Sequence, residues 1–176
     1  MKHMKLILSL SFILMITQAF SQTDKETTMK IVADKNYIFS ANSAMPLANN
    51  DVSRIMRSFP GGQGGSGTIN LSGSQYDLKV TKDSVVAYLP YYGRAFSAPY
   101  NPNEGGIKFT SKNFTYTESK TRKGSYSINI RTKDLNLENY QMYLTVSPNG
   151  YASLLVNSVN KQAINFNGVL AEPKKK

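Results

Sequence analysis

From Gln75 onward, apolar and polar residues take turns along the chain. Tyr76, Leu78 and Val80 alternate with Gln75, Asp77 and Lys79. Tyr126, Ile128 and Ile130 alternate with Ser127, Asn129 and Arg131, and Met142, Leu144 and Val146 with Tyr143 and Thr145. Ile107-Lys108-Phe109, Phe114-Thr115-Tyr116, and Ala152, Leu154 and Val156 keep the same beat. A period of two puts every second side chain on one face, so each run predicts a half-buried β-strand. Val85 to Leu89 is a fuller apolar run and predicts a strand covered on both sides. Pro90 ends it, having no N–H to give a ladder. Ile164 and Phe166 lead into Val169-Leu170, and Glu172-Pro173 closes the pattern. Lys82-Asp83-Ser84 and Thr121-Arg122-Lys123-Gly124 read as turns. Ser147-Pro148-Asn149-Gly150 reads as a tight hairpin, with proline preset for the second turn position.

Upstream the pattern changes. Thr23 and Glu26 have the spacing of a capping box, and Met29, Val32 and Ala33 follow at helical spacing, which predicts a short helix over 24–35. Tyr37 to Ala41 is the first strand. Asn42 to Gly67 is irregular. Within it, Val52, Ile55, Met56 and Phe59 allow one short amphipathic helix with Arg54 and Arg57 outward. The glycines of 61–67 lack the Gly-Lys-Ser/Thr and the following helix of a phosphate-binding loop, so they read as a flexible connection.

About nine strands joined mostly by short turns predict an all-β fold: an antiparallel meander that closes into a barrel, which removes exposed edges. A two-sheet β-sandwich would give a similar pattern. A membrane-spanning barrel would need an apolar outward band, whereas the second face of most strands here carries Lys, Asp, Asn and Ser.

The first 21 residues read as a secretory signal peptide. Lys2 and Lys5 precede an apolar run from Leu6 to Ile16, and Ala19-Phe20-Ser21 supplies a small-x-small cleavage site before Gln22. The run is too short for a comfortable bilayer span, and no second one follows, so no transmembrane span is expected in the mature chain. Residues 22–173 read as one domain and 174–176 as a basic tail. The expected location is the periplasm or the extracellular space. About 155 residues can bury roughly 70% of their unfolded surface without a disulfide brace.

There is no cysteine, and the one histidine, His3, leaves with the signal peptide. The mature chain therefore lacks Ser-His-Asp and Cys-His nucleophile systems and any thiolate or imidazole zinc site. Carboxylate, lysine, tyrosine or serine chemistry remains. Loss of Lys2 and Lys5 lowers the formal charge from +10 to +8. No basic stripe accompanies that charge, so it reads as a solvated surface and not as a nucleic-acid site. Most carboxylates fall in turns or the helix (Asp24, Glu26, Asp34, Asp51, Asp83, Glu104, Asp134, Glu138), with no spacing that sets two across a cleft as a carboxylate-based hydrolase needs.

Leu89 to Tyr100 packs four aromatics, one arginine and two prolines into twelve residues. Pro90 to Gly106 has no strand or helix period, and loops this long in a small domain are usually functional or disordered. Its aromatic area favours an ordered loop. Two readings stay open. Tyr91, Phe96 and Tyr100 fill the barrel mouth, with Arg94 stacked on a ring or paired with a carboxylate. Alternatively Tyr91, Tyr92, Arg94, Phe96 and Tyr100 line a pocket for an anionic or carbonyl group on an apolar or sugar-like body.

Several of these residues together carry a resemblance. They are Tyr37-Ile38-Phe39 with Ala41-Asn42, Tyr76-Asp77-Leu78-Lys79-Val80 with Asp83-Ser84-Val85, Leu89-Pro90-Tyr91-Tyr92-Gly93-Arg94-Ala95 with Ala98-Pro99-Tyr100, Gly105-Gly106-Ile107-Lys108-Phe109, and the Ser147–Gly150 hairpin. The chain resembles an exported bacterial family of unknown function, domain of unknown function number 4251. The resemblance implies a lipocalin-like β-barrel with an N-terminal helix, and brings no substrate and no catalytic residues. The expectation is a non-enzymatic exported barrel, without metal or cofactor, that binds a small molecule or an envelope partner at its aromatic end. An envelope interaction module without a pocket is the alternative.

Overall fold

Asp24 opens the only helix among the described residues, α1 (Lys25–Ala33). Its carboxylate accepts the Thr27 N–H at 2.7 Å, satisfying one of the donors a helix start leaves unpaired. That bond, to the first turn's backbone, lowers the Asp24 pKa. The cap therefore falls one residue later than the capping box predicts. Thr23 is buried and gives its hydroxyl to the Leu170 carbonyl, which ties the chain's approach to the last strand. Ile31 and Val32 turn the helix's apolar side inward.

The computed structural model describes residues 23–46, 67–96, 105–135 and 138–173. The expected signal peptide, the helix expected over Val52–Phe59, most of the glycine stretch, Tyr100, Glu104 and the basic tail lie outside them.

Ten strands follow among the described residues: β1 (Tyr37–Pro46), β2 (Ile69–Asn70), β3 (Asp77–Val80), β4 (Val85–Leu89), β5 (Ile107–Ser111), β6 (Phe114–Lys120), β7 (Tyr126–Thr132), β8 (Tyr140–Val146), β9 (Tyr151–Ser158) and β10 (Ile164–Ala171). They form one sheet in the order β5-β4-β3-β1-β10-β9-β8-β7-β6, with β2 attached to β1. Every pairing along that path is antiparallel. The two edges, β5 and β6, therefore run the same way. Only Lys112 and Asn113 separate them, so one bent strand supplies both edges and the sheet is nearly closed into a barrel. Asp134 pins that bend, accepting the Ser111 hydroxyl and the Lys112 and Asn113 N–H groups at 2.8 and 2.9 Å. These bonds, the Ser111 one foremost, pull its pKa down to about 2.

The alternation predicts the inner face correctly. Leu78, Leu89, Ile130, Met142, Leu144, Leu154, Ile164 and Phe166 are each 0% exposed. A void large enough for water would register as exposure, so none of these side chains borders one. Each such burial contributes about 1.5–3 kcal/mol. Across the interior, the Phe109 ring stacks on Tyr140 with centroids 4.8 Å apart, and the Tyr37 hydroxyl meets that of Tyr116 at 3.4 Å.

Two details differ from expectation. Val85–Leu89 is not covered on both sides: Tyr88 faces outward, 47% exposed, with Tyr76 stacked on it and Lys108 over its ring. And β1 runs past Ala41 to Pro46, through a β-bulge. Ala41 pairs with Gly168 and Ser43 with Asn167, so Asn42 is the extra residue. The buried positions of β1 shift with it, from Tyr37, Phe39 and Ala41 to Ala44. The Ser147–Gly150 hairpin forms as read, with Gly150 in the left-handed region and its N–H on the Ser147 carbonyl.

Candidate functional site

The aromatic stretch leaves β4 at Pro90 and folds back against the connection between β9 and β10. Tyr91 turns inward and packs on the core. Its hydroxyl lies 2.7 Å from the Arg94 carbonyl and 3.0 Å from that of Gln162, sharing one proton between them. The ring folds over Gly93, where a Cβ would sit 2.4 Å from the tyrosine oxygen. Glycine is what lets this clasp close. Beyond it, Ala95 bridges to Lys161. The Phe96 N–H donates to Asn160 at 2.8 Å, and the Gln162 N–H to Arg94 at 3.0 Å. Two loops far apart in sequence are thus stitched together by a short piece of antiparallel ladder. Burial, helped by the charge of Glu138, pushes the Tyr91 pKa up to about 12, so the phenol keeps its proton and remains a donor.

Beneath the stitch lies a charged cluster. Glu138 accepts the Tyr140 hydroxyl at 2.7 Å, the Ser158 hydroxyl and the Lys161 ammonium. Ser158 in turn accepts the N–H groups of Asn160 and Lys161 at 3.1 and 3.0 Å. The Lys161 nitrogen also sits over the Tyr140 ring, 5.7 Å from its centre. Burial would raise the Glu138 pKa, but the bonds from Lys161, Ser158 and Tyr140 outweigh it and hold the carboxyl below its ordinary range. Burial, with the bond to Glu138, moves the Tyr140 phenol the other way. Each polar group here spends its bonds on another member of the cluster, which makes it a fastener for the loops.

Of the five residues singled out in sequence, the four described are not brought together. Tyr91 is a plug, part of the fold. Tyr92, its neighbour, points outward at 38% exposure, its pKa raised by burial and by the nearby Tyr76. Arg94 is exposed, and its side chain pairs with no carboxylate or ring among the described residues. Phe96 is 67% exposed, and Val159, in the facing connection, is 76% exposed. Tyr100 lies outside the described residues. The residues that sequence reasoning missed are Phe109, Tyr140, Ser158 and Lys161. Glu138 stood only among the turn carboxylates. Among the described residues no group of three or more His, Cys, Asp or Glu is placed to hold a metal.

A family model described as Domain of unknown function (DUF4251) matches residues 19–170. Among solved structures, the crystal structure of a DUF4251 family protein from Bacteroides eggerthii DSM 20697, at 1.95 Å resolution, is similar over 89% of this chain and 92% of that one. The identity is 16% and the TM-score 0.56, a likeness of fold. No curated protein matches.

Proposed function

The chain belongs to the DUF4251 family, whose function is unknown, and from that premise we propose that it is an exported, non-enzymatic recognition barrel. It meets a partner protein on the outside of its aromatic end. The recognising residues are Tyr92, Arg94 and Phe96, with the exposed Val159 of the facing connection. The partner brings an apolar side chain for Phe96 and Val159 and a carboxylate for Arg94.

One observation carries this reading: the Phe96 ring stands mostly in water on a backbone held by the Asn160 carbonyl. A single exposed aromatic is ordinary. One whose backbone is held, two residues from an arginine that pairs with no carboxylate or ring among the described residues, has less ordering entropy left to lose on binding. The version with a ligand inside the barrel draws no support from the eight inner side chains that are 0% exposed. A hydrolytic reading draws none from Glu138, which already accepts three donors.

The test is a photo-crosslinking residue placed at position 96, and separately at Thr117 on the far wall, in cells that make and export the protein. A discrete protein adduct from position 96 alone, lost on Arg94→Glu, is the expected result. Equal adducts from both positions, or an adduct indifferent to Arg94→Glu, would contradict it.

A further inference from the structure

A second site lies on the opposite side of the molecule. The outer faces of β1, β8, β9 and β10 enclose an open groove of about 430 Å³. It is lined by Asn42 and Asn167, by the hydroxyl residues Ser125, Thr145, Ser147 and Ser153, and by Tyr151, Ala152 and Gly168. None of these residues is charged, in a chain with 21 basic and 11 acidic side chains.

Local irregularities build this groove. The bulge in β1 takes Asn42 out of the ladder. Bulges re-aim a side chain, and they gather next to functional sites. Opposite it, Gly168 admits no side chain: a Cβ there would lie 1.9 Å from the Ser40 carbonyl. So β1 and β10 approach closely where Gly168 lines the groove. The Ser147 hydroxyl, in the same lining, is shielded from solvent and has no hydrogen-bond partner among the described residues. Tyr151 offers a ring that is 51% exposed.

We infer that this groove binds a neutral, polyhydroxylated ligand, a carbohydrate chain or its end. Asparagine amides both donate and accept, and hydroxyls turn to suit, which matches the alternating donors and acceptors of adjacent sugar hydroxyls. A tyrosine face covers the apolar C–H side of a sugar ring while its hydroxyl stays wet. Without a charged lining, an anionic or cationic ligand gains nothing here over water. The site is separate from the rim of the aromatic end, so either proposal can fail alone.

The experiment is amide-resolved NMR of the mature protein, titrated to millimolar concentration with neutral oligosaccharides (gluco-, manno- and N-acetylglucosamine oligomers) and, separately, with a neutral tripeptide. The expected result is saturable shifts at Asn42, Ser147, Tyr151 and Asn167 with at least one oligosaccharide, unchanged by added salt. Tyr151→Ala should weaken that binding about tenfold, and Arg94→Ala should leave it alone. Thr145→Lys, an exposed change that spares the core, should abolish it. No saturable shift with any oligosaccharide overturns the inference. So do shifts with the tripeptide alone, and so does binding that survives Thr145→Lys.

Discussion

On the wall made of β3, β4 and β5, the outward positions include Asp77, Lys79, Tyr88 and Lys108. On the wall made of β7 to β10, they include Ser127, Asn129, Tyr143, Thr145, Ser153, Asn165 and Asn167, with Arg131 the single charge. Inside, the two walls are alike: Leu78, Val85 and Leu89 on one, Ile130, Leu144 and Leu154 on the other, all 0% exposed. The fold needs the inner residues and is indifferent to the outer ones. What differs outside is therefore where a function can be written: charged and aromatic near the rim loop, amide and hydroxyl around the groove.

The largest effects should fall on the shared inside. Leu78→Ala and Leu144→Ala should each cost about 3 kcal/mol in urea unfolding, whichever wall they come from. If one wall tolerates the change, the two are not one core and the comparison breaks.

Next comes the fastener between two loops of the β7–β10 wall. Glu138→Ala leaves Lys161 without its partner where their side chains are 13% and 19% exposed. A cost of about 2 kcal/mol is expected, between the values for exposed and buried pairs. Acid should expose the same bonds. The folded pKa of Glu138 lies below its ordinary 4.5, so its contribution is complete above that value and is lost as pH falls through the folded one. Glu138→Gln should flatten that part of the stability profile.

A smaller effect sharpens the contrast between plug and rim. Tyr91→Phe keeps the ring and removes the bond to Arg94 and Gln162, costing about 1 kcal/mol. Hydrogen exchange should quicken at the Phe96 and Gln162 amides, which close the stitch. Smallest of all, Lys79→Ala and Thr145→Ala on the outer faces should each change stability by less than about 0.5 kcal/mol.

Strands with strict alternation were legible in the sequence because one face of each is buried, and a period of two records that directly. The turns at Lys82–Ser84, Thr121–Gly124 and Ser147–Gly150 were legible from their own chemistry. The site was less so. Tyr91 and Tyr92 read as one aromatic cluster, yet adjacent residues in extended chain face opposite ways, and the pair splits between core and surface. The Glu138–Lys161 contact joins two connections 23 residues apart in sequence, and no local pattern marks which turns will meet. The bulge at Asn42 sits where polar residues resume after Ala41, so it read as the start of a loop. The helix start was off by one because Thr23 and Asp24 are both good caps, and only the tie of Thr23 to Leu170 decides between them.

The central claim is that the barrel is solid and that recognition takes place on its outside. Methyl-resolved NMR of the Ile, Leu and Val side chains, with the protein offered a panel of apolar and amphiphilic small molecules, tests it most directly. The account predicts that the methyls of Leu78, Ile130, Leu144, Leu154 and Ile164 do not shift with any of them. Saturable shifts confined to those inner methyls would place a ligand inside the barrel and contradict it.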